Sequence, residues 1–239
     1  MECFKNQPES WEALQDLVGQ MFTECGFETE VSKVVKLVRG SKEIDVYAQD
    51  NVSEHKTIIL VECKYWNTPI NQEVVHAFRT VINDFGAQVG YIVSKKGFQS
   101  GCYEAAYKTN LKLVTLEEFE KIFHSRWRAA MIERYLPYSQ KLLPYWFCSC
   151  ANPVTTEGKP IDLALHLLLS RAYGPICDLN LPNYLELGFV KYPLTLPVIN
   201  EELKTIGSMT IHNDREYFDF CEENKDIALQ RHKALFASE

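Results

Sequence analysis

Apolar and polar positions in the first half of the chain alternate between helix-like and strand-like periods. One helix-like stripe begins after Ser10, a residue that favours the N-cap position, and stops at Gly26. Its apolar positions are Trp11, Leu14, Val18, Met21 and Phe22. A second stripe predicts a helix from about residue 70 to 86, and a third helix is predicted after residue 97. A fourth begins at Thr115, where Glu118 completes a capping box, and runs to about residue 123.

Between these helices lie short runs rich in β-branched and aromatic residues, which predict strands. The predicted strands cover about 27–38, 44–48, 57–64, 89–93 and 111–114. The element order is therefore α-β-β-β-α-β-α-β-α, a hairpin-linked start followed by two β-α-β crossovers. This order predicts an α/β fold with a mixed β-sheet flanked by helices on both faces. In such sheets functional groups collect at strand ends.

The second half of the chain follows a different pattern, and we place a domain boundary near residue 125. Residues 1–125 then form the α/β domain, and 126–239 a mainly α-helical region whose role the sequence does not reveal. Strand-like runs are few there, and prolines interrupt the chain repeatedly. The predicted helices are Arg126 to Leu136, Ile161 to Tyr173 and about Tyr217 to Leu235. An aromatic cluster at Tyr138 and 145–147 is more typical of a core or an interface than of a base-stacking surface.

Charged residues interrupt the apolar runs at two neighbouring strands. The run 57–64 ends in Glu62-Cys63-Lys64, and strand alternation puts Glu62 and Lys64 on one side with Cys63 opposite. Asp45 lies in the preceding strand, and the polar stretch between the two strands suits a hairpin loop, so we expect Asp45 beside Glu62 and Lys64. Two carboxylates and an ammonium at the end of a sheet can hold a hard cation and activate water. An ordinary cross-strand ion cluster is the alternative.

The Glu-x-Lys tripeptide alone carries little information, because four more occur in the chain. They begin at Glu54, Glu157, Glu202 and Glu223. None of them is predicted to follow an apolar strand. The strand that leads into Glu62 therefore carries the prediction.

Net charge does not decide whether the partner is a nucleic acid. The chain carries −7 overall, which runs against the basic footprint typical of phosphate binding. A basic row precedes Asp45 and a basic pair follows the fourth strand: Lys33, Lys36, Arg39 and Lys42, then Lys95 and Lys96. Each of these is more typical of a solvated edge charge, although as a group they are suitable phosphate contacts.

The cysteines and the N-terminus indicate a cytoplasmic protein with reduced thiols. The chain has 8 cysteines in 239 residues, too sparse for a disulfide scaffold, and its N-terminus lacks the features of a signal peptide. Cys148 and Cys150 are the only close pair, and their spacing does not match a zinc site, although zinc stays the alternative. No apolar run approaches the ~20 residues that span a bilayer.

Taken in order, these blocks resemble the PD-(D/E)XK nuclease superfamily, and within it the Mrr-like branch of restriction endonucleases. The resemblance covers about residues 10–123. Its blocks are Trp11-Glu12, the Gly26-Phe27 entry to the first strand, Ile44-Asp45-Val46, Val61 to Tyr65, Gly90 to Ser94 and Gly97 to Ser100. The resemblance implies that Asp45 and Glu62 are metal ligands, that the Cys63 carbonyl completes the inner shell, and that Lys64 is the catalytic lysine. It adds Glu12 of the first helix as a further acidic catalytic residue. A Pro-Asp dipeptide before Asp45 is missing, as it often is in this superfamily.

The resemblance further implies an endonuclease that hydrolyses DNA with Mg²⁺, or Mn²⁺ as a substitute, in defence against foreign DNA. Cutting both strands calls for a homodimer or a higher oligomer. A sensor or regulatory protein is a further expected partner, and residues 126–239 are expected to serve recognition, oligomerisation or regulation. Two alternatives stay open: a catalytically silent module that binds nucleic acid or protein, and a nuclease directed at junctions or RNA.

Overall fold

The chain divides into two compact units, and the boundary along the sequence lies between Ala130 and Met131. Their structure, a computed structural model, describes residues 3–52, 56–146, 160–181 and 190–237.

The first unit contains nine elements in the predicted order. They are α1 (Trp11–Glu24), β1 (Glu28–Lys36), β2 (Ser41–Asp50), β3 (Thr57–Lys64), α2 (Gln72–Phe85), β4 (Val89–Ser94), α3 (Ser100–Ala106), β5 (Leu111–Thr115) and α4 (Leu116–Trp146), which continues into the second unit. The sheet has the order β1-β2-β3-β4-β5. The pairs β1-β2 and β2-β3 are antiparallel, whereas β3-β4 and β4-β5 are parallel. The prediction of a mixed sheet flanked by helices is confirmed.

Local sequence signals set the ends of the helices. The Ser10 hydroxyl accepts a hydrogen bond from Ala13 N at 3.1 Å and caps α1. Thr115 and Glu118 form the predicted capping box, with reciprocal bonds of 2.8 and 3.2 Å. Gly86 ends α2 with φ +81°, a left-handed conformation that glycine adopts without strain.

Each face of the sheet packs against its own pair of helices. Leu60 and Ile92 lie in a core with apolar residues of α2 and α3, including Phe78. On the other face an aromatic cluster joins α1 and α4 to the sheet. Phe22 lies at its centre, with ring centroids 5.4 Å from Phe119 and 4.9 Å from Phe123. The central strands β3 and β4 are therefore mostly buried, and the side chains at their carboxyl ends extend from a packed part of the sheet.

We expect Phe22→Ala to destabilise the first unit by about 3–5 kcal/mol, because it removes a buried ring from this cluster. Urea unfolding followed by fluorescence measures the change. Val38→Ala removes an exposed apolar side chain and is the matched control, expected within about 0.5 kcal/mol of wild type. Similar losses in both variants would contradict the central place of Phe22.

The end of α4 corrects one boundary. We predicted a helix ending near residue 123 and another from Arg126 to Leu136, but α4 is one helix of 31 residues. No glycine or proline lies between Phe123 and Arg126, so nothing there ends the helix. Pro137 and Pro144 lie inside it.

The second unit is mainly helical, as predicted, with one hairpin that the sequence did not indicate. Its elements after α4 are α5 (Leu163–Ala172), α6 (Gly174–Asp178), β6 (Leu194–Ile199), β7 (Thr205–Ile211) and α7 (Asp214–Phe236). Helices α5 and α7 confirm two predictions, and β6 pairs antiparallel with β7. From the aromatic cluster, Tyr145 packs against Phe236 with ring centroids 5.2 Å apart. Phe147, Cys148 and Cys150 lie outside the described residues.

The six cysteines within the described residues are buried and form no disulfide bonds with one another. No helix in the described part of the chain is both long and apolar enough to cross a membrane.

Candidate active site

The candidate site lies where β2 and β3 run side by side. In their antiparallel register Val46 pairs with Val61, so Asp45 and Glu62 each lie one residue beyond this pair. β3 is the central strand of the sheet, between β2 and β4, and it is almost entirely buried. This position explains its apolar sequence and sets Glu62 and Lys64 at its carboxyl end.

Glu62 and Lys64 form an ion pair on one side of β3. Lys64 Nζ lies 2.5 Å from Glu62 Oε1, which confirms the predicted alternation. The side chains of Glu62 and Lys64 are 11% and 17% exposed, so the ion pair is largely buried but still has some contact with solvent. Cys63, between them, is buried, and burial together with the charges of Asp45 and Glu62 raises the pKa of its thiol well above the usual range.

Asp45 lies next to this pair and is tied to β3. Its Oδ2 accepts a hydrogen bond from Cys63 N at 2.6 Å. Burial raises the pKa of Asp45, and the nearby negative charge of Glu62 raises it further. The Cys63 N–H and the charges of Lys64 and Lys42 act in the opposite direction. The structure thus brings together Asp45, Glu62 and Lys64.

Lys42 belongs to the same cluster, although the sequence placed it only in a basic row. Its Nζ lies 3.1 Å from Glu62 Oε2. β2 begins at Ser41, three residues earlier than predicted, and this extension carries Lys42 along the sheet toward Glu62. Had the predicted strand begun at residue 41 instead of 44, the sequence would have placed Lys42 on the same strand as Asp45.

Helix α1 contacts the site through Trp11. Trp11 Nε1 donates a hydrogen bond to the carbonyl oxygen of Cys63 at 3.0 Å, a contact the sequence did not indicate. A carbonyl oxygen has two lone pairs, so this bond leaves the predicted ligand role of Cys63 possible. Glu12 is exposed in the first turn of α1, where a backbone hydrogen bond and Ser10 lower its pKa. Its catalytic role stays a prediction.

The oxygen-rich donor set fits a hard divalent cation. Among the described residues no group of three or more His, Cys, Asp or Glu side chains is placed to hold a metal ion. Mg²⁺ is commonly bound through one or two carboxylates while it keeps several waters, and two carboxylates with the Cys63 carbonyl meet that need. Burial that disfavours ionised Asp45 adds to the fit, because a cation would offset its charge.

The rim of the site carries an aromatic ring and two lysines. Trp66, 43% exposed, lies two residues beyond Lys64 with its ring centroid 5.9 Å from Lys64 Nζ. Lys95 and Lys96 follow β4, and both are exposed. Lys95 Nζ donates to Asn67 Oδ1 at 3.1 Å and its backbone N–H donates to the Lys64 carbonyl at 3.0 Å, which joins the ends of β3 and β4.

This fold and this cluster define a class of protein. The five-stranded mixed sheet, with Asp45 on β2 and Glu62-x-Lys64 at the end of β3, is consistent with the predicted class, the PD-(D/E)XK nucleases. Residues 7–123 match the Mrr catalytic domain family, described as restriction endonuclease. This part of the chain therefore belongs to the Mrr-like branch of restriction endonucleases, as the sequence predicted.

Two solved structures are similar to parts of the chain. One is the crystal structure of AF1548, a protein of unknown function, with 22% identity over 44% of this chain and 58% of that chain, and a TM-score of 0.39. The other is the DNA modification-dependent restriction endonuclease AspBHI, with 11% identity over 49% of this chain and 38% of that one, and a TM-score of 0.32. The similarity thus covers less than two thirds of either protein. No curated protein matches the chain significantly.

Proposed function

We propose that the first unit is a divalent-metal-dependent endonuclease that hydrolyses DNA phosphodiester bonds. The observation that carries this proposal is the cluster of Asp45, Glu62 and Lys64 at the end of β3, within a domain of the restriction endonuclease family. Mg²⁺ is the proposed cofactor, and Mn²⁺ can replace it. When bound, such a cation neutralises charge that builds on the phosphate and makes water more acidic.

The side chains divide the work according to their contacts. Asp45 and Glu62 would hold the cation through carboxylate oxygens, with the Cys63 carbonyl as a third donor. Lys64, beside Glu62, orients the attacking water and stabilises negative charge in the transition state. Trp11 fixes the Cys63 carbonyl, so it acts by positioning this donor.

DNA would approach along the ends of β3 and β4. Lys95 and Lys96 lie at the same end of these parallel strands as Lys64, where their ammonium groups can contact phosphates on either side of the cut. Because one site cuts one strand, cleavage of a duplex needs a homodimer or a higher oligomer. Residues 126–239 would supply recognition, oligomerisation or a response to a sensor protein, in a cytoplasmic defence against foreign DNA.

Replacing both Lys95 and Lys96 with alanine is expected to weaken DNA binding uniformly across sequences. The slope of log affinity against log salt should fall by about 2, since each phosphate contact contributes ~0.9. Fluorescence anisotropy at several salt concentrations measures this slope.

The matched control is Lys56→Ala with Lys112→Ala, two exposed lysines near the amino ends of β3 and β5. This double variant removes the same charge at the opposite ends of the strands. An equal loss of slope in both double variants would place DNA elsewhere.

Incubation with supercoiled plasmid, linear duplex, single-stranded DNA, branched junctions and RNA, each with and without Mg²⁺, tests the proposed function. Metal-dependent cutting of DNA is the expected result. Binding without cutting, under every metal condition, would instead identify a silent binding module. Preferred cutting of junctions or RNA would change the substrate while keeping the site.

A further inference from the structure

The Glu62 carboxylate is held by two ammonium groups at once, one on each oxygen. Lys64 Nζ lies 2.5 Å from Oε1, and Lys42 Nζ lies 3.1 Å from Oε2. The two lysines reach Glu62 from different strands, because Lys64 follows it on β3 and Lys42 lies near the start of β2. Both oxygens that this side chain could offer to a divalent cation therefore already have a positively charged partner.

The two ion pairs differ in how easily they can separate. The Lys42 side chain is 34% exposed, twice the fraction of Lys64, and its contact with Glu62 is the longer one. An exposed ammonium regains water when it leaves its partner, whereas a buried one loses its partner without full hydration. Lys42 is therefore the partner that a competing cation displaces at lower cost.

The charges within the cluster show why a lysine that can leave Glu62 favours binding of a divalent cation. Asp45 and Glu62 are buried carboxylates close enough for the charge of one to act on the other. Lys64 and Lys42 each carry a formal positive charge, so the formal charges of the four side chains sum to zero. A divalent cation added to this neutral cluster meets two ammonium groups, and its affinity rises if one of them moves away.

We propose that Lys42 is an internal counter-cation that holds Glu62 Oε2 until a divalent cation takes its place. This inference rests on the proposed function, in which Asp45 and Glu62 hold that cation. Lys42 is then a positioning residue, because it acts through Glu62 and not on the reacting atoms.

Cation affinity of the full chain without DNA tests this inference, by titration calorimetry with Mn²⁺ and Mg²⁺. Lys42→Met keeps the methylene stem beside the Phe78 ring and removes the charge. It is expected to bind either cation about tenfold more tightly than wild type, since the loss of one neighbouring positive charge is worth at least that factor. Lys42→Arg keeps a cation at this place and is expected to bind as wild type.

The matched control is Lys36→Met, which removes the same charge from an exposed position on the neighbouring strand β1. Its affinity is expected to change much less than that of Lys42→Met. Lys42→Gln serves as a second neutral variant if the methionine variant loses its folded circular dichroism spectrum.

Each outcome decides the inference. The inference is supported if the neutral Lys42 variants bind the cation more tightly than wild type and Lys36→Met does not. This holds even where the cation affinity of wild type is too weak to measure. Equal affinity in wild type and Lys42→Met overturns it, as do equal gains in Lys42→Met and Lys36→Met, because net charge alone would then explain them. The proposed nuclease survives either result if the plasmid is still cut. Absence of cation binding in every protein, together with an uncut plasmid, rejects both.

Discussion

Lys64→Met is expected to lower the rate of metal-dependent DNA cleavage by about 10²–10⁴-fold, the range typical of a lost general acid–base or charge-stabilising group. The methionine keeps most of the side-chain volume, so the end of β3 should stay folded. DNA affinity measured without a divalent cation should change by less than about tenfold, because one phosphate contact at most is lost. Plasmid nicking followed on gels, together with anisotropy, separates these two effects.

Lys121→Met is the control for this variant. Lys121 forms an exposed ion pair with Glu117 on α4, so it also loses a charged partner, but far along the chain from Glu62. Its cleavage rate should match wild type. Cleavage at the wild-type rate by Lys64→Met would show that Lys64 takes no part in the reaction. An equal loss of cleavage rate in both variants would mean that the net charge of the protein explains the effect.

Asp45→Asn is expected to make the cation-free protein more stable and to abolish its stabilisation by a cation. The pKa of Asp45 is raised in the folded chain, mainly by burial, so the folded state binds this proton more tightly than the unfolded state. The free energy of unfolding therefore falls as the pH rises from the ordinary value of 3.8 through the raised one. Asparagine carries no charge at any of these pH values, and its oxygen can still accept the bond from Cys63 N.

Thermal unfolding between pH 4 and 8, with and without Mg²⁺, measures both effects. Near neutral pH without metal, Tm should be higher in Asp45→Asn, by about 2–4 °C for each kcal/mol gained, and the difference should shrink toward low pH. Wild type at a cation concentration 100 times its Kd should gain about 2.7 kcal/mol, and the variant almost nothing.

Asp16→Asn changes an exposed carboxylate of α1 and is the control for this pair of measurements. It should respond to Mg²⁺ as wild type does. A lower Tm for Asp45→Asn without metal would mean that the ionised carboxylate stabilises the fold. An undiminished response to Mg²⁺ would show that Asp45 is not a ligand.

Local patterns were sufficient to predict the first unit. The apolar run 57–64 belongs to the central strand, and its alternation placed Glu62 and Lys64 on one side. Ser10 and the capping box at Thr115 fixed the starts of two helices because these signals act within a few residues. The polar stretch after Asp45 connects two antiparallel strands, as predicted, and their register places Asp45 beside Glu62.

Features that depend on distant contacts were missed. The bond from Trp11 joins residues 52 positions apart, and the pair of Lys42 and Glu62 spans 20 positions. No local period encodes either contact. The hairpin of the second unit was missed for another reason: Pro197 lies inside β6, and proline within an apolar run argues against a strand.

The central position of β3 also bears on the stage of synthesis at which the proposed nuclease activity can arise. A nascent chain that ends before residue 89 already holds Asp45, Glu62 and Lys64 in its sequence, but it lacks β4, which pairs with β3 along its whole carboxyl half. That parallel partner can arrive only after the crossover helix α2 has been made. Ribosome-bound intermediates and prematurely terminated fragments of this length are therefore expected to lack the proposed nuclease activity.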